Sequence, residues 1–139
     1  MMFASYSVAF WGILTLILTV LVQSMVAAAS KAAQPGAIPG KMDSALSHSS
    51  FVFRSNRTFA NSLENITVML GAAILAVMVG ADAYWTGVVI WIMALARVLH
   101  MVLYYAIATE KNPSPRSYFY LIAVLANIAL LGLCAFALI

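Results

Sequence analysis

Arg57, Asn61 and Glu64 stand at i, i+4 and i+7, so on a helix they share one face. Arg97, His100 and Tyr104 follow at spacings of three and four residues, again one face of a helix. Arg116, Ser117 and Tyr120 open the last apolar stretch of the chain. Charged and hydrogen-bonding side chains of this kind are costly inside a bilayer unless they meet protein, a ligand or a water-filled cavity. Their convergence from separate stretches points to a polar binding site in which cations and hydroxyls recognise a polar ligand.

Each residue also has a structural reading. Glu64 with Arg97 can be a structural ion pair, since an unpaired charge at this depth is costly. His100 can be a satisfied contact between helices, and Tyr104, Tyr118 and Tyr120 an interfacial aromatic belt. Arg57 and Arg116 can be topology anchors. All of these at one level, on three stretches, favour a shared site. Other chemistry is missing from the pattern. There is no metal-ligand cluster, since His48 and His100 are far apart in sequence and Cys134 is the single cysteine. No phosphate loop or Gly-x-Ser-x-Gly elbow occurs.

The elements that must hold these residues follow from composition. The chain has 139 residues, 65% hydrophobic and 8% charged, against roughly 25% charged in soluble domains. That balance places it in a lipid bilayer. The net charge of +3 comes from dispersed basic residues beside apolar stretches, which membrane topology explains and nucleic-acid binding does not. The first thirty residues carry no charged side chain, so a cleaved signal peptide is not expected and the segment reads as a retained helix.

Four stretches are long enough to cross the roughly 30 Å of a hydrocarbon core: about 5–30, 54–80, 84–108 and 116–138. The expectation is therefore all-α: one integral-membrane four-helix bundle over 1–139. Counted from Arg57, Glu64 would lie about 10 Å into its helix. The first connection, Lys31 to Phe53, is a loop with Pro35, Gly36, Pro39, Gly40 and a Ser/His cluster. The second, at Gly80 to Ala83, is a tight hairpin. The third is short and carries Pro113 and Pro115. Lys31, Lys41, Arg54, Arg57, Lys111 and Arg116 fall on the side of the first and third loops, and the other side has Asp82. The positive-inside rule puts loops one and three in the cytoplasm and both termini opposite.

The pattern resembles the membrane-associated proteins in eicosanoid and glutathione metabolism. That family's second helix opens with an arginine followed by asparagine and glutamate at +4 and +7, as Arg57, Asn61 and Glu64 do. Its third helix carries an arginine, then histidine or tyrosine, then tyrosine, as Arg97, His100 and Tyr104 do. Pro115-Arg116-Ser117 with Tyr120 is similar to the opening of the fourth helix in the prostaglandin-synthase branch. The resemblance implies a homotrimer with sites between subunits, each binding glutathione as cosubstrate near the cytoplasmic face. Arg57, Asn61, Glu64, His100, Tyr104 and Tyr120 would line the glutathione pocket, and Arg97 would hold Glu64. Arg116, helped by Ser117, would stabilise the thiolate, and a lipophilic small molecule would arrive from the bilayer. Two departures stand out. Phe59 replaces the His or Gln found in many catalytic members, and Lys31 alone replaces several arginines at the end of the first helix. Both leave room for a lipid-binding member without catalysis.

Overall fold

The computed structural model describes residues 2–139. A short 3₁₀ turn, Met2–Tyr6, leads into four long helices: α1 (Ser7–Ala32), α2 (Phe51–Met78), α3 (Ala83–Ala106) and α4 (Pro115–Ala137). All four are long and apolar enough to cross a membrane. The described residues form an all-helical, four-span membrane bundle.

The bundle packs many small residues inward around a few large ones, Leu16, Met69, Ile90, Met93 and Leu130, while many large apolar side chains face outward. Its buried core includes Ala72, Ala73 and Ala76 of α2, Ala94 and Ala96 of α3, and Ala123 and Ala126 of α4. Trp11, Leu18, Ile74, Leu95 and Leu125 face outward. Lipid tails are as apolar as leucine, so burying leucine offers little; close backbone approach and dispersion hold such helices together. Two glycines let α1 and α3 approach closely. A Cβ on Gly12 would lie 2.7 Å from Cγ2 of Ile90, and one on Gly87 would lie 3.2 Å from Cγ1 of Val8. Trp91 Nε1 donates to the Val8 carbonyl at 3.0 Å in the same region.

The helix ends follow local chemistry. At the α2–α3 hairpin Gly80 takes φ +71°. The Ala81 amide donates to the Ala76 carbonyl at 2.9 Å and that of Gly80 to Val77 at 3.3 Å, a Schellman closure that only glycine enters without strain. Tyr6 donates its hydroxyl to the Ala81 carbonyl, tying the start of the chain to this hairpin. Asp82 then caps α3 by accepting from the Trp85 amide at 2.9 Å. At the other end, α2 begins at Phe51, three residues before the expected start. Arg54 is the reason: its Nη1 donates back to the carbonyls of His48 and Ser49 at 2.8 and 2.9 Å. The third helix stops at Ala106, two residues before the expected end. Ser30 and Ser55 hydroxyls meet at 2.8 Å, which fixes the antiparallel register of α1 on α2 and sets Gln23 level with Ser62.

Candidate functional site

The end of the bundle that carries the basic residues gathers the polar side chains in two layers. The outer layer centres on Tyr104, in the last turns of α3. The Arg116 guanidinium, from the first turn of α4, lies over the Tyr104 ring, 4.0 Å from its centroid. His100 packs edge-on against the same ring at 5.6 Å and leans on Tyr120 at 6.4 Å. The Tyr104 hydroxyl is 3.1 Å from Nε2 of His48, in the loop between α1 and α2. His48 Nδ1 is 3.5 Å from the Glu110 carboxylate. An open groove of about 430 Å³ runs along this layer, walled by His48, Glu110, Ser114, Arg116 and Ser117.

Arg116 is held from two sides. Its Nη2 donates to the Thr109 carbonyl at 3.1 Å, and the helix that carries it is capped beneath the groove. Ser114 precedes Pro115, whose fixed φ suits the first helical position. The Ser117 hydroxyl accepts from the Ser114 amide at 3.1 Å and touches the Ser114 hydroxyl at the same distance. Ser117 thus serves the cap and lines the groove at once. Nη1 of Arg116 is buried and has no hydrogen-bond partner among the described residues; the same is true of Nδ1 of His100.

The inner layer centres on Arg97. Its Nη2 donates to Asn61 Oδ1 at 2.9 Å and to Ser62 Oγ at 2.8 Å. Arg97 as a whole is 3% exposed, and its Nη1 has no partner among the described residues. The expected contact of Arg97 with Glu64 is not made within the chain. Glu64 lies two residues beyond Ser62, about 200° around the helix, and so faces away from α3. Glu64 lies about 10 Å along α2 from Arg57 and about 20 Å from its start at Phe51. Arg57 is on the same exposed face.

The structure therefore gathers His100, Tyr104, Arg116, Ser117 and Tyr120 at one end of the bundle: Arg116 and Ser117 stand on the groove wall, and Tyr104, His100 and Tyr120 stack in turn behind Arg116. It sets Asn61 with Arg97 beneath it and leaves Arg57 and Glu64 on the outer surface of the single chain. Three participants were not expected from sequence. His48 lies far from the rest of the cluster in sequence, in a Ser/His-rich loop, and only the fold carries it onto Tyr104. Arg54 ties that loop to α3, its Nη2 donating to the Tyr105 carbonyl at 3.3 Å. Ser62 had a readable signal: Ser55, Thr58 and Ser62 sit at i, i+3 and i+7 and are all buried, a polar stripe facing inward.

These features define a class: a four-span helical membrane protein with a polar, cation-bearing groove at one end. The match to the MAPEG family extends over residues 8–136, nearly the whole chain, and the protein belongs to that family, which is associated with glutathione-related function. No curated protein and no solved structure matches the chain.

Proposed function

We propose that the protein is a glutathione-dependent transferase or peroxidase acting on lipophilic electrophiles at the membrane. The observation that carries this reading is Arg116: a cation on the wall of a 430 Å³ groove, stacked on Tyr104, with a buried N–H left to donate. A thiol with a pKa near 8.5 is a poor nucleophile until a nearby cation favours its ionised form. A guanidinium suits the task because it stays charged and offers donors in a fixed fork. The thiolate then attacks an electrophile delivered laterally from lipid. Its sulfur forms the new bond as the leaving group departs with the displaced electron pair.

The oligomer enters through Glu64. A carboxylate halfway along a spanning helix, facing outward with no ion pair among the described residues, is costly in hydrocarbon. A neighbouring copy covering that face would supply its partner, and Arg57 and Asn65 would join the same surface. The homotrimer implied by the family resemblance, with glutathione between subunits and loops one and three in the cytoplasm, meets this need.

A second reading, a lipid-binding member without catalysis, is supported by one feature. Phe59, Lys31 and Ile38 line an apolar cavity of about 480 Å³ between α1, the first loop and α2, where a bound tail would fit. Calorimetric titration of the purified protein with glutathione in detergent, followed by conjugation of a small aromatic halide, decides between them. Binding and turnover are expected. Full-length protein that binds lipid but shows no heat with glutathione would sink the enzyme reading.

A further inference from the structure

We propose that His48, backed by Glu110 and acting through the Tyr104 hydroxyl, receives the proton that glutathione gives up when its thiol ionises. This rests on the glutathione reading above and supplies a step that it lacks. Arg116 can hold a thiolate, but an arginine already carries its proton and cannot take another. The proton therefore needs an acceptor near the guanidinium.

The geometry offers one chain. The Tyr104 ring lies under Arg116, and its hydroxyl is 3.1 Å from His48 Nε2. His48 Nδ1 faces the Glu110 carboxylate at 3.5 Å. A carboxylate beside Nδ1 favours the tautomer protonated there, which leaves Nε2 as the acceptor of the Tyr104 O–H. When the thiol ionises, its proton passes to the Tyr104 oxygen as the tyrosine proton passes to His48 Nε2. The products are a thiolate beside the Arg116 guanidinium and an imidazolium beside Glu110. No electron changes hands and each charge gains an opposite neighbour.

The groups facing His48 come from every adjoining element. From α3 they are Tyr104 and, behind it, His100, whose ring packs on Tyr104. From the third loop comes Glu110, with Lys111 on the same groove wall. From α2 comes Arg54, which binds the His48 carbonyl, and from α4 comes Arg116. Glu110 is 69% exposed, so water completes the relay on the outer side. Two things fix the His48 ring. Its edge meets Phe53 at 4.9 Å, and Arg54 pins its backbone. His48 does not touch the sulfur; it is a positioning residue that sets where the proton rests.

The test follows thiolate formation by its ultraviolet absorbance on the purified full chain as glutathione is added across a pH series. Affinity for S-methylglutathione, which has no thiol proton, is measured alongside. In the unaltered protein the thiolate should form at a pH below that of free glutathione. His48→Gln should raise that midpoint by about one unit, a tenfold loss of thiolate at fixed pH, while S-methylglutathione still binds. Glu110→Gln should shift it the same way by less, and added imidazole should restore part of the His48→Gln loss. An unchanged midpoint in His48→Gln and Glu110→Gln overturns the relay and leaves the glutathione reading standing. Absence of binding by the unaltered protein overturns both. If His48→Gln fails to fold, Glu110→Gln and Tyr104→Phe carry the same comparison.

Discussion

The two ends of the bundle solve opposite problems. At the hairpin end, α1 and α3 approach until Gly12 leaves no room for a methyl group beside Ile90, and Tyr6 and Trp91 each donate to a main-chain carbonyl. At the basic end the packing is polar and incompletely matched. Arg54 Nε, Arg97 Nη1, His100 Nδ1, Tyr105 Oη, Arg116 Nη1 and both amide atoms of Gln23 are buried with no hydrogen-bond partner among the described residues. Unpaired buried polar groups cost roughly 1–3 kcal/mol each. Thr86 Oγ1 is the one such group near the hairpin among the described residues, so the unmatched polar atoms are concentrated toward the basic end. A tight end can support such a loose one because the four helices run through both.

Arg116→Ala breaks this contrast most sharply. Turnover of an aromatic halide with glutathione should fall about 100-fold or more, the usual loss when a group that stabilises developing charge is removed. The melting temperature in detergent should move little, because Arg116 gives the fold one part-buried hydrogen bond and a ring contact. Equal rates in variant and parent would remove Arg116 from the mechanism. Gly12→Ala should do the reverse. Its new methyl meets a β-branched Ile90 that cannot easily swing aside, and overpacking costs about 1–3 kcal/mol. Thermal unfolding should come earlier while glutathione affinity per folded molecule stays the same. A Gly12→Ala protein as stable as its parent would show that the α1–α3 contact has slack. Between the ends, Ser62→Ala removes one of the two acceptors on Arg97 Nη2 and should cost about 1.5–3 kcal/mol, read by denaturant unfolding.

Much of this was legible in the sequence because bilayers impose simple rules. Length and hydropathy located four spans, and helical spacing grouped Arg97, His100 and Tyr104. The pairing of Arg97 was not legible. Arg97 is long enough to reach several residues of α2, and spacing alone does not say which way α2 is rotated. Asn61 and Ser62 face α3; Glu64 does not. The role of His48 was hidden for a different reason. A loop has no period, so nothing in residues 31–50 says which position returns to the bundle. That choice is made by Arg54, whose bonds to His48, Ser49 and Tyr105 hold the loop against the end of α3.

Ser117 gives the finest test, because it belongs to both halves of the comparison at once. Its hydroxyl accepts from the Ser114 amide and contacts the Ser114 hydroxyl, a reciprocal cap on α4. It also lines the groove. If capping is its main duty, Ser117→Ala frays the first turn of α4, costs about 0.5–1 kcal/mol and lets Arg116 wander. Turnover should then fall only several-fold, and amide exchange at the start of α4 should quicken in step with it. Ser117→Asp keeps an acceptor at the third helical position, where a negative charge also suits the helix dipole, so it should restore the slow exchange. It would also place a carboxylate beside the thiolate. Slow exchange with low turnover in that variant would show that the cap and the chemistry separate. Slow exchange with full turnover would show that the hydroxyl has no part in holding the sulfur.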